Sequence, residues 1–340
     1  MTDRKSRIWS EVDLAATGKQ VGFLHLPYSV TRSGYGHINI PIAVISGGGP
    51  GTALLTGGNH GDEFEGQIAL ARLIRDLRPE DVPGRVIIIP ALNFPAAMAS
   101  TRVSPIDQGN LNRAFPGDPD ATPTWQIAHY IDSVLLPQSD LWVDIHSGGT
   151  SMQYLPFAHI YLTGDDPELD ARSDSLLLSF GSPRSVRVTF RPDSRFAAST
   201  AHRRRVAYLG TELGGGGGVN REGVEIARAG CLRALHGAGI LRDLSPYGVS
   251  KAVPTEFFEW AGNENYVYAE HPGVFEPHVG LGEPVTAGQP CGTIHFIEDP
   301  RRESIQLTFQ RPGTVACLRH PGRVEPGDCV SHTVIPLGAA

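Results

Sequence analysis

The sequence predicts an α/β fold: a mostly parallel or mixed sheet flanked by helices, followed by a small C-terminal all-β domain. Three observations predict it. Apolar β-type runs alternate with helical periodicity through about residue 240, the order of a layered α/β domain. The run Arg85–Leu92, RVIIIPAL, is continuously apolar, as in a strand buried on both faces. After Lys251 the helical period vanishes, and short β-like runs (NENYVYAE, GTIHFI, SIQLTF, GTVACL) are broken by glycine and proline. The expected boundary lies near Leu244–Pro254, giving an α/β unit over residues 1–250 and a β unit over 251–340.

In order, Gln20–Val30 and His37–Ile45 read as opening strands, with Ser46–Gly51 as a turn. Ala53–Thr56 is a short buried strand. Leu70, Leu73, Ile74 and Leu77 recur at helical spacing, so a helix starts at Asp62 or Phe64 and runs to Arg78; Asp62 with Glu65 has the form of a capping box, and Pro79 stops the helix. After the strand at Arg85–Leu92, residues Asn93 to Asp120 form a long polar loop, and long loops in compact domains usually carry function. It holds Arg102, Asp107, Asn110, Asn112 and Arg113. Thr122 with Pro123 opens a second helix; Asp140–Ile145 is a strand ending at His146; His159–Leu162 is a strand and Asp170–Phe180 a helix. Val206–Leu213 is a strand ending at Glu212, the glycines Gly214–Gly218 make a flexible turn, and Asn220–Leu235 is a helix.

Composition narrows the function. Net charge is −7 and the lysines are Lys5, Lys19 and Lys251, which argues against a nucleic-acid surface; the basic cluster Arg203–Arg205 reads as a solvated loop. The longest apolar runs fall far short of a membrane span. The N-terminus MTDRKSRIWSEVDL has no apolar signal core, so the expectation is a cytoplasmic protein. Cys231, Cys291, Cys317 and Cys329 show no CxxC spacing and read as reduced residues.

The chemistry centres on Thr56–Gly66, TGGNHGDEFEG, where His60 and Glu63 leave a strand end with two residues between them. A histidine and a carboxylate so placed can share one metal ion, zinc by ligand type, with cobalt or manganese also accepted. His146 would complete a His₂Glu set with a position left for water, and zinc lowers the pKa of water toward ~7. Glu212, at another strand exit, suits a general base, and equally suits an ion pair with a nearby arginine. His60, His146 and Glu212 at three strand exits match the rule that open α/β sheets bind ligands beyond the carboxyl ends of their strands. Arg102, Asn112 and Arg113 are candidates to stabilise an oxyanion and to clamp a substrate carboxylate. Asp144, two residues before His146 and on the same strand face, either orients that ligand or is a plain buried polar residue. His159 reads as packed.

The motifs GGNHGDEFEG, NLNRAFPG, DIHSGG and TELGGGG, in that order over roughly residues 50–220, resemble the succinylglutamate desuccinylase/aspartoacylase family, zinc amidohydrolases related to metallocarboxypeptidases. The resemblance implies a zinc-carboxypeptidase-like fold and one zinc per subunit on His60, Glu63 and His146. It implies Glu212 as general base and acid, Arg102 as the residue that polarises the carbonyl, and Asn112 with Arg113 as the carboxylate holders. The stretch between Arg102 and Asn112 looks longer than in aspartoacylases proper; the form STRVSPIDQGNLNRAFPGD is similar to the branch that deacetylates N-α-acetyl-L-2,4-diaminobutyrate in ectoine degradation. The tail (GVFEPHVGLGEPVTAGQPCGTI, then RPGTVACLRHPGRVEPGDCV) resembles a biotinyl/lipoyl-type hammerhead, yet no lysine follows Lys251 to carry such a cofactor. The expected partner is a small N-acyl amino acid, with no nucleic acid or membrane, and self-association left open. The alternatives are desuccinylase or aspartoacylase activity, a zinc carboxypeptidase, and, more remotely, a non-enzymatic metal-binding scaffold.

Overall fold

In the computed structural model, residues 4–251 and 254–338 are described; residues 252 and 253, inside the expected boundary Leu244–Pro254, lie outside them. The architecture is a mixed sheet between two layers of helices, with an antiparallel sheet in the C-terminal part. At its centre four strands run parallel in the order Arg85–Ile89, Thr52–Gly57, Leu141–Ile145, Ala207–Glu212. His37–Ser46 flanks this group antiparallel on one side and Phe157–Tyr161 on the other. Beyond Phe157–Tyr161 the sheet continues in parallel through Arg184–Val188 and Glu256–Trp260.

The alternation within the apolar runs decides which layer each side chain serves. In Arg85–Ile89, Val86 and Ile88 join one core, Ile87 and Ile89 the other. The first core is closed by the helices Phe64–Asp76, Pro167–Phe180 and Arg221–Gly237, the second by Pro123–Tyr130 and Ala197–Arg203. Two helix starts use side-chain caps: Asp166 accepts from the Leu169 amide at 3.2 Å, and Asn220 from that of Gly223 at 3.1 Å.

Several expectations change. The capping box does not form: Glu63 is the N-cap residue and makes no capping bond. Asp62 instead accepts from the Thr150 amide at 2.8 Å and hydroxyl at 2.9 Å, and Glu65 from the Ser147 hydroxyl at 2.6 Å and the Asn220 amide at 2.8 Å. Both carboxylates pin neighbouring loops. Gly214–Gly218 is a tied turn, not a loose one: the Gly214 carbonyl accepts from Gly148 and Tyr154 amides, each at 3.0 Å. Residues 203–205 are not a free basic loop, since Arg203 ends a helix, Arg204 pairs with Asp132 at 2.6 Å, and Arg205 pairs with Asp166 and Glu168. The strand Arg184–Val188 and the helix Ala197–Arg203 escape a reading of the pattern because both are short.

Past residue 250, Glu256–Trp260 pairs with Arg184–Val188 and with Cys329–Pro336, so the central sheet extends into the C-terminal part. Gly313–Arg319 pairs with Met152–Tyr154, which follows the His146 loop. A second antiparallel sheet, Ile305–Thr308, Pro290–His295, Gly273–Pro277 and Arg323–Val324, packs its own core around Phe275, Ile294 and Phe309.

Candidate active site

The four parallel strands all point their carboxyl ends at one cavity of about 420 Å³. Thr52–Gly57 leads to His60 and Glu63, Leu141–Ile145 to His146, Ala207–Glu212 ends on Glu212, and Arg85–Ile89 leads to the segment carrying Arg102, Asn112 and Arg113. Every one of these residues lines the cavity. Gly61 makes the approach of the first loop possible: a Cβ there would stand 1.9 Å from the Ala96 carbonyl oxygen.

His60, Glu63 and His146 are buried, with one ligand atom of each within 4.8 Å of the others. Glu63 Oε1 lies 2.6 Å from His60 Nδ1, and Oε2 lies 2.9 Å from His146 Nδ1. The far sides of both rings are engaged: His60 Nε2 donates to Asn110 Oδ1 at 3.1 Å and His146 Nε2 to Asp144 Oδ2 at 2.9 Å. A cation held between them would leave each proton on Nε2 and turn each Nδ1 lone pair toward it. Three ligand atoms thus converge on one point, an arrangement suited to a cation. Asp144 also accepts from Thr56 Oγ1 at 2.6 Å and Asn59 Nδ2 at 3.1 Å, so it orients His146 and is not merely buried.

Glu212 Oε2 is buried and has no hydrogen-bond partner. Burial, reinforced by the charge of Glu63, pushes its pKa well above the ordinary value. The ion-pair alternative for Glu212 finds no support in its contacts. Arg102, half exposed, puts Nη1 3.4 Å from Glu63 Oε1. The guanidinium of Arg113 lies 4.0 Å from the centre of the Phe196 ring and donates to the Asn112 carbonyl at 2.8 Å. Asn112 Oδ1 accepts from the Ala197 amide at 2.9 Å, which leaves its NH₂ group to serve a ligand.

Sequence reasoning gave Asn110 no particular role and did not find the aromatic lining. Asn110 sits two residues before the Asn112–Arg113 pair, so proximity to that pair was the clue. The aromatic residues Tyr154, Tyr161, Phe190, Trp260 and Tyr266 come from scattered segments and left no motif. His159 packs edge-on against Tyr161, with ring centroids 5.6 Å apart.

A sheet with two arginines, an unpaired carboxylate and a His–Glu–His group at the carboxyl ends of its parallel strands has the parts of a hydrolase. The family is explicit in the sequence: residues 50–238 match the succinylglutamate desuccinylase/aspartoacylase catalytic domain, and the chain belongs to that family. It is an enzyme, a hydrolase acting on N-acyl amino acids. Among its relatives is the N-α-acetyl-L-2,4-diaminobutyric acid deacetylase of Halomonas elongata, 40% identical over 332 residues, covering 96% of this chain and 95% of that protein. A succinylglutamate desuccinylase/aspartoacylase from Rhodobacter sphaeroides superposes with a TM-score of 0.90 at 40% identity, over 98% of this chain and all (100%) of the other. The product-bound ectoine utilization protein EutE (DoeB) of Ruegeria pomeroyi gives a TM-score of 0.93 at 37% identity, over 98% and 99% of the two chains.

Proposed function

We propose that this protein is a zinc-dependent deacetylase of N-α-acetyl-L-2,4-diaminobutyrate, acting in ectoine degradation in the cytoplasm. The observation that carries this reading is the charge of the cavity in a chain so like the Halomonas deacetylase: among its described lining residues, Arg102 and Arg113 are the arginine or lysine side chains. With one needed for the α-carboxylate and one for the scissile carbonyl, none remains for a second substrate carboxylate. That disfavours N-acetylaspartate and N-succinylglutamate.

His60, Glu63 and His146 would hold the zinc, which when bound supplies Lewis acidity to polarise an amide carbonyl and acidify water. Glu212 takes the proton from the attacking water and returns it to the leaving amine; its unpartnered Oε2 is the atom free to do so. Arg102 donates to the oxygen on which negative charge develops. The Arg113 guanidinium and the Asn112 NH₂ bind the α-carboxylate, and the Phe196 ring holds the guanidinium plane.

The test is turnover, followed by mass spectrometry, with zinc-loaded enzyme on N-α-acetyl-L-2,4-diaminobutyrate, N-acetylaspartate, N-succinylglutamate and a set of short peptides. Preference for the first compound is the expected result. Preference for a dicarboxylate or a peptide overturns the substrate, and full activity after chelation and zinc removal overturns the metal.

A further inference from the structure

We propose that the aromatic lining formed by Tyr161, Phe190, Trp260 and Tyr266 is the subsite that receives the side-chain ammonium of the substrate, and so determines its specificity. This rests on the reading above that the substrate is an N-acyl diamino acid. The four rings form a continuous chain: Tyr161 to Phe190 with centroids 6.3 Å apart at 86°, Phe190 to Trp260 5.8 Å at 79°, Trp260 to Tyr266 5.7 Å at 47°. All four line the same cavity as the His–Glu–His group. They come from the strand Phe157–Tyr161, the loop after Arg184–Val188, and the segment that follows residue 254.

The two imidazoles packed on these rings do not repel a cation. His332 stacks on Trp260 at 4.4 Å and 11°, and His159 lies edge-on to Tyr161; burial pushes both imidazoles down to about 3, so both are neutral at physiological pH. The Tyr161 and Tyr266 phenols are pushed up, chiefly by burial, and stay protonated. What remains for a ligand is the negative face of the rings, and desolvated ammonium groups bind such faces. The cavity already uses this pairing, since Arg113 is seated on Phe196. A carboxylate is the other candidate. Asp193 lines the cavity but is exposed and already paired with Arg195 at 2.7 Å. The rings offer the more buried seat.

The test compares kcat/KM for N-α-acetyl-L-2,4-diaminobutyrate with that for N-acetyl-L-norvaline, which has a methyl in place of the ammonium. The ratio of the two cancels the fraction of active enzyme, so a variant that folds incompletely is still informative. Zinc-loaded wild type should favour the cation. Phe190→Leu, Trp260→Leu and Tyr266→Leu should each lower the ratio about three- to thirtyfold, the range of one cation–π contact. Trp260→Phe and Tyr266→Phe should restore most of it. A ratio unmoved by the leucine variants overturns the proposal, as does a ratio that collapses only in Asp193→Asn, which would give the ammonium to that carboxylate. Wild type that hydrolyses both compounds without preferring the cation overturns this proposal but leaves the deacylase standing. Hydrolysis of neither overturns both.

Discussion

The ionic and the aromatic residues of the cavity are assembled in different ways. His60, Glu63, His146 and Glu212 each lie at or just beyond the carboxyl end of a parallel strand, and the sheet register alone brings them together. Tyr161 comes from an antiparallel strand, Phe190 from a loop, and Trp260 and Tyr266 from the part of the chain past residue 250. The ionic set depends on local turns that a few glycines permit. The aromatic set depends on long-range pairings, such as that of Glu256–Trp260 with Arg184–Val188. Reaction and selectivity can therefore change separately: substitutions in the first set should stop catalysis on every substrate, and those in the second should redistribute activity among substrates.

The largest expected effect tests that separation. Glu212→Gln should lower kcat by about 10²- to 10⁴-fold, the span of general acid–base catalysis, equally for cationic and neutral substrates. Zinc content measured by elemental analysis should stay at that of the wild type, since Glu212 is not in the His–Glu–His group. A loss below tenfold, or a loss confined to one substrate, would break the division. The next effect is on the metal. Asp144→Asn keeps the shape beside His146 but weakens the acceptor for Nε2–H. Zinc affinity measured by competition with a chromophoric chelator should drop about 10- to 100-fold, as for other groups that orient a ligand from behind. Unchanged affinity would mean that the strand and Glu63, without Asp144, hold the imidazole.

The ionic half was legible because each member announces itself within ten residues. A strand-like apolar run, a glycine and a ligand-type side chain stand together at His60, at His146 and at Glu212, and the alternation of strands and helices says that such ends meet. The resemblance then supplied roles to Arg102, Asn112 and Arg113. What the sequence could not convey was partnership across distance. Asp62 and Glu65 look like a cap because their spacing is right, yet Thr150 and Ser147 outcompete the helix amides for them, and those residues lie more than eighty positions away. The same holds for Trp260 and Tyr266. Nothing near them in sequence suggests a cavity, and only their strand pairings place them there.

A smaller effect sharpens the division inside the ionic set. Arg113→Lys keeps the charge but loses the planar fork and the stacking on Phe196. KM should rise about tenfold, equivalent to about 1.4 kcal/mol, with kcat much less affected. Steady-state kinetics on the preferred substrate reads this directly. A fall in kcat with KM unchanged would move Arg113 from carboxylate binding to the stabilisation of developing charge.

The effect expected to be smallest at neutral pH concerns the support behind the aromatic residues. His332 is 1% exposed, stacks on Trp260, and is surrounded by Tyr154 and Tyr266 with Cys317 opposite it in the sheet. Burial lowers its pKa from 6.5 to about 3, against a weaker opposing pull from the Thr333 backbone. The sign follows from the proton count. As pH falls below 6.5 the unfolded chain takes up a proton that the folded one refuses until about pH 3, so stability is complete above 6.5 and declines across that window. One such proton is worth ~1.4 kcal/mol per pH unit. His332→Phe keeps a flat ring against Trp260 and removes the titration. Denaturant unfolding at pH 7, 6, 5 and 4 should therefore show an acid limb shallower by about one proton in the variant. Equal slopes would mean that the imidazole accepts its proton in the folded state, which would put a positive charge behind the rings and weaken the case for an ammonium in front of them.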